Sequence, residues 1–174
     1  MTNNPICTNK KPIQYSQLDK RWANNVYSNH GDKHQTMASS GSGPTLCADV
    51  VATLKDESVT PWDLAQLALE WGCRTRMSGT SWDFFAKVAE HFAFKKFVRS
   101  VHFDALVECL GKGGYVICSM KKGYWTRIGN YVLAWNIDSM YVYGIGTEIK
   151  GMDGKQTIDN FERDAKIYFC FYPD

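Results

Sequence analysis

No stretch of this chain is apolar for long enough to span a bilayer. The opening Met1-Thr2-Asn3-Asn4-Pro5 lacks the basic start and apolar run of a secretory signal. The expectation is a cytoplasmic chain that does not engage a membrane. An excess of either charge is also missing: 20 Lys and Arg stand against 18 Asp and Glu. That balance argues neither for nor against nucleic acid, and no long nucleic acid is expected as a partner. There is no internal repeat, low-complexity run or linker, so residues 15–174 read as a single domain behind a loosely ordered arm, 1–14. The cysteines (Cys7, Cys47, Cys73, Cys109, Cys118, Cys170) are scattered, with no CxxC pair and no His at ligand spacing. A zinc site is therefore not expected, nor any other metal or cofactor. Cys47, Cys109, Cys118 and Cys170 stand among apolar neighbours and read as small core residues with reduced thiols.

What is present is enough for a core. A chain of 174 residues buries about 70% of its unfolded surface and needs no staple. Aromatics make up 14% of the residues, and many cluster in the last third. The most distinctive stretch is Ala38-Ser39-Ser40-Gly41-Ser42-Gly43-Pro44-Thr45, running into Leu46-Cys47-Ala48-Asp49-Val50-Val51-Ala52-Thr53-Leu54. The small residues read as a flexible approach to a helix whose first turn tolerates Pro44. Leu46, Val50, Val51 and Leu54 recur at helical spacing, so one face is buried. Ser42 then lies at or just before a helix N-terminus, where unpaired N–H groups and the helix dipole suit a thiolate nucleophile or a bound anion. A serine that only caps the helix is the other reading.

Further helices are expected from Thr60-Pro61 to Trp71, stopped by Gly72, from Gly79 through Phe92, and from Phe103 to Leu110. The period then changes. Tyr115–Met120, Gly129–Trp135, Met140–Ile145 and Ala165–Tyr172 read as strands. Helices first and an antiparallel sheet afterwards give an α+β domain. His30 and His34 fall in a polar loop and read as solvated.

Taken together, these pieces resemble the papain-like cysteine peptidases of the bacteriocin-leader-processing type and their stand-alone relatives. The markers are Gln17, Asp19, Arg21 and Trp22, then Gly41 to Thr45, Thr60-Pro61, Gly79 to Trp82, and Gly123 to Thr126 before the Gly129 strand. The resemblance implies N-terminal helices packed on a C-terminal antiparallel sheet. It also implies a catalytic set that this chain lacks. Ser42 stands where the family has its nucleophilic Cys, and Asn130 where it has its His base. Tyr143-Gly144-Ile145-Gly146 stands where it carries the residue that orients the His. Of that set Gln17 alone matches, as an oxyanion-hole donor.

A Ser hydroxyl is a weak nucleophile without a base, and Asn130 is no base near neutral pH. Loss of one triad member costs about four orders of magnitude in rate. No catalytic residue is therefore expected; the reading is a catalytically inactive member whose cleft binds. Candidate ligand contacts are Gln17, Gly41, Ser42, Gly43, Lys122, Tyr124, Trp125, Arg127, Asn130 and Tyr131. Cations interleaved with aromatics beside an anion hole suit a small, flat, anionic ligand such as a nucleotide derivative, to be sequestered; the other reading has Trp125 and Tyr131 as core or rim packing and Lys121-Lys122 as a hairpin tip in water. A peptide or protein partner in the same groove is the alternative. An active hydrolase would need a histidine such as His91 or His102 within reach of Ser42 or of a Cys.

Overall fold

The computed structural model describes residues 9–77, 79–127, 129–147 and 153–174. They form two compact units, one of residues 13–92 and one of residues 9–12 with 93–174.

The first unit is helical. It opens with a single turn, α1 (Met37–Ser40), where the sequence reads as a flexible approach. Thr36 and Ser39 close a reciprocal capping box, which satisfies the first amides of so short a helix. Gly41 ends α1 by donating its N–H to the Met37 carbonyl, and the same residue starts α2 (Ser42–Leu54). Every residue of α2 from Ser42 to Ala52 is buried, the polar Ser42, Thr45 and Asp49 among them. It packs on α3 (Pro61–Glu70), started by Thr60 and Asp63 in a second capping box with Pro61 in the first turn. Gly72 follows with φ +69°, the left-handed conformation that ends a helix. The next helix, α4, spans Asp83–His91 and begins four residues later than its sequence pattern proposes. Residues 79–82 belong instead to a turn: Gly79 has φ +90°, and Thr80 bridges Arg74.

The second unit is a six-stranded sheet with two helices. Its strands are β1 (Phe97–Ser100), β2 (Tyr115–Met120), β3 (Asn130–Ile137), β4 (Tyr141–Ile145), β5 (Asp153–Thr157) and β6 (Ala165–Phe171). They pair antiparallel throughout, in the order β1-β6-β2-β3-β4-β5. Helix α5 (Phe103–Gly111) lies on β2, β3 and β6, and α6 (Ile158–Asp164) links β5 to β6. Leu106, Cys109 and Leu110 of α5 pack with Val116, Cys118, Val132, Ala134, Tyr168 and Cys170 of the sheet, and Trp125 and Phe161 join the same core. The α+β class and the four expected strands are found. Strands β1 and β5 and helix α6 are additions: a four-residue edge, an edge with no apolar side chain (Asp-Gly-Lys-Gln-Thr), and a seven-residue helix.

Cys47, Cys73, Cys109, Cys118 and Cys170 are free and buried, whereas Cys7 lies outside the described residues. No helix among the described residues is long and apolar enough to cross a membrane, and they hold no cluster of three or more metal-ligating side chains.

Candidate functional site

In the helical unit the candidate residues converge on the junction of α1 and α2. Gln17 is buried, and its amide nitrogen donates to the Ala38 carbonyl at 2.7 Å and lies 3.4 Å from that of Met37. Two carbonyls in front of one amide end fix its orientation. The nitrogen expected to serve as an oxyanion donor is therefore committed to the backbone of α1, and Gln17 holds that turn in place. Its Oε1 is buried without a hydrogen-bond partner.

Gly41 and Gly43 are needed for close approach. A Cβ at Gly41 would sit 2.6 Å from the Met37 carbonyl oxygen, and one at Gly43 would sit 3.0 Å from Thr80 Cβ. Thr80 is itself held by the Tyr27 hydroxyl at 2.5 Å. Tyr27 is in turn held by Arg74, a guanidinium only 2% exposed. Arg74 donates to the carbonyls of Tyr27 (2.8 Å) and Gly79 (3.0 Å) and to Gln35 Oε1 (2.9 Å), and it lies 4.9 Å from the Tyr27 ring centre. Nothing local in the sequence marks Arg74, because its partners come from three separate segments. Ser42 takes the first helical position of α2 and is 6% exposed. Pro44, in the same turn, has no N–H to donate.

The nearest thiol along α2, Cys47, is fully buried, and burial, with the Asp49 carboxyl, pushes its pKa well above the ordinary thiol value. It is inert where it stands. Asp49 is also buried: Oδ1 accepts the Tyr15 N–H at 2.7 Å, Oδ2 has no partner, and desolvation raises its pKa well above the carboxylate range.

In the sheet unit the stretch from Lys121 to Arg127 divides by exposure. Lys122, Tyr124 and Arg127 are exposed, whereas Trp125 is 2% exposed. Trp125 was expected among the ligand contacts, but it belongs to the core. Its indole N–H donates to Gln156 Oε1 at 2.8 Å, and Gln156 Nε2 donates to Asp164 Oδ2 at 3.0 Å. Asp164 Oδ1 also accepts from Arg163 Nε at 3.1 Å, and its backbone carbonyl accepts the Lys121 N–H at 2.7 Å. The 121–127 stretch is thus moored to β5 and α6 through residues 31 or more positions away, which no local pattern displays. Tyr131 is likewise buried, at 8% exposure. Asn130 opens β3 opposite Met120, and its Oδ1 accepts the Tyr131 N–H at 2.9 Å.

The stretch 143–146 holds no carboxylate, and the nearest one upstream, Asp138, has a turn to hold. It accepts the amides of Met140 and Tyr141 and the Tyr143 hydroxyl (2.6 Å), the last of which does most to keep its pKa below the usual value. The histidines lie elsewhere. His30 Nδ1 is 2.8 Å from Asn29 Oδ1, His34 is exposed, His91 packs edge-on against Trp71, and His102 precedes α5.

No protein-family model matches this chain, and no curated protein does. Among solved structures, it is similar to a peptidase domain, so the α+β fold is of a peptidase-like kind. That domain belongs to Streptococcus ComA, a bifunctional ABC transporter involved in a quorum-sensing pathway. The two superpose with a TM-score of 0.59 at 14% identity, over 78% of this chain and 93% of the other. At that identity the likeness is one of fold.

Proposed function

We propose that this chain keeps a papain-like peptidase fold without its chemistry, and that it binds and sequesters a small anionic ligand in the cytoplasm, a nucleotide derivative being the first class to test. The observation that carries the reading is Asn130, an amide at the head of β3, in a sheet none of whose strands contains a histidine. A serine becomes a nucleophile when a base takes its proton, and an amide does not take it. The five described thiols give no substitute, because all are buried.

Binding chemistry remains. The sheet unit offers the exposed cations Lys122 and Arg127 with the Tyr124 ring, 51% exposed. With Trp125 in the core, one stacked ring contributes about 1–3 kcal/mol. Two charge-assisted hydrogen bonds add roughly 1.5–3 kcal/mol each. Micromolar affinity needs about 8 kcal/mol net, so both cations are required together.

The test is a thermal-shift and calorimetric screen with nucleoside mono- and diphosphates, followed by Arg127→Ala and Lys122→Ala. At least one nucleotide is expected to raise the unfolding temperature, and each variant to weaken it about tenfold, near 1.4 kcal/mol. The reading is overturned if no nucleotide binds, or if a model peptide is cleaved and Ser42→Ala abolishes the cleavage.

A further inference from the structure

Away from these residues the surface of the helical unit carries an open pocket of about 380 Å3 lined by Trp71, Lys87, Glu90 and His91, the last three exposed. That volume lies in the range of small-molecule sites. Trp71 is the residue that closes α3, while the other three come from the last turns of α4. Their spacing of three and four residues sets Lys87, Glu90 and His91 on one face of that helix. One wall is aromatic: the Trp71 and His91 rings meet edge-on at 5.3 Å, and Phe84 backs the indole at 6.0 Å. Lys87 Nζ lies 3.5 Å from the Trp71 carbonyl, a long contact that steadies the ammonium and leaves its other hydrogens for a ligand. The Glu90 carboxylate makes no hydrogen bond or ion pair among the described residues.

A lone anion in this pocket meets Glu90, and a lone cation meets Lys87. A neutral ligand covers both charges and answers neither. The lining matches a molecule that carries both signs. We propose that this pocket binds a zwitterion with an aromatic body, a free aromatic amino acid in its simplest form. Its carboxylate sits at Lys87, its ammonium at Glu90, and its ring against Trp71 and His91. This site is independent of the sequestration reading and stands or falls separately from it.

The experiment compares L-phenylalanine, its N-acetyl derivative and its amide on the full chain, by calorimetry and by the indole N–H resonance of Trp71. Free phenylalanine is expected to bind saturably and to shift that resonance, and each blocked form to bind about tenfold more weakly. Lys87→Met should abolish the preference over the amide, and Glu90→Gln the preference over the N-acetyl form. Ser42→Ala should change neither. Both charges are on exposed side chains, so the unfolding temperature should hold; Lys87→Gln and Glu90→Ala replace any variant that shifts it. The proposal is overturned if free phenylalanine does not saturate at millimolar concentration, if the three forms bind equally, or if the charge variants leave the preferences intact.

Discussion

Replacing Gln156 by methionine keeps the side-chain length and removes both of its hydrogen bonds. The Trp125 indole N–H loses its acceptor, and Asp164 loses a donor at 3.0 Å. Trp125 is 2% and Asp164 8% exposed, so water does not readily replace either partner. A buried donor left alone costs about 1–3 kcal/mol, and a hydrogen bond to a charged acceptor is worth roughly 1.5–3. The methionine regains about 1 kcal/mol by burying a less polar chain. The net loss is about 1.5–5 kcal/mol, or roughly 3–20 °C in unfolding temperature for a chain of this size. Urea titration followed by tryptophan fluorescence measures it.

A double-mutant cycle gives the sharper result. In a Trp125→Phe background no indole N–H is left to strand, so Gln156→Met should cost at least about 1 kcal/mol less there. The acid limb gives a third reading. Burial pushes the Asp164 pKa up, but the bonds from Gln156 and Arg163 and the charges of Arg163 and Lys121 outweigh it, holding the pKa below its ordinary 3.8. A carboxylate depressed in the folded state adds stability above pH 3.8 that is lost as pH falls through the lower folded value. Without Gln156 that loss should shrink. A cost under about 1 kcal/mol, together with an additive cycle, would refute the mooring.

Three other outcomes follow from the same geometry. Gly43→Ala should cost about 1–3 kcal/mol by pressing on Thr80, and Gly41→Ala more, because the obstacle 2.6 Å away is a backbone carbonyl; thermal unfolding ranks them. Asp49→Asn should flatten the pH dependence of stability. A carboxyl raised in the folded state adds stability below pH 3.8 that is lost as pH climbs through the raised value, so the variant should gain on the parent toward pH 8 in a series of melts. Ala93→Gly should raise the unfolding temperature, by up to about 1 kcal/mol of stability, since Ala93 is the described non-glycine residue with positive φ, at 57°.

Helices α2 to α5 and strands β2, β3, β4 and β6 were legible because each announces itself locally. Thr60-Pro61 starts a helix through a cap and a fixed φ, Gly72 stops it, and the apolar runs at 115–120 and 165–171 have strand composition. The strand β5 was not legible, because Asp-Gly-Lys-Gln-Thr owes its conformation to pairing with β4 and to nothing in its own side chains. Ser42 at a helix start and Asn130 at a strand start follow from local sequence, and the structure places both residues there. Trp125 was misassigned because a row of cations and rings looks alike whether the indole N–H meets water or Gln156. Gln17 was misassigned for the same reason, since only the folded chain shows which carbonyls its amide faces. Side-chain hydrogen bonds across long separations were the information missing in both cases.

The five buried thiols also make the chain its own stability gauge. An alkylating reagent reaches them only when the surrounding structure opens. Cys47 and Cys73 report on the helical unit, and Cys109, Cys118 and Cys170 on the sheet unit. Peptide mapping after timed labelling would separate the two sets, showing whether both halves of the molecule come apart in one event or one yields before the other.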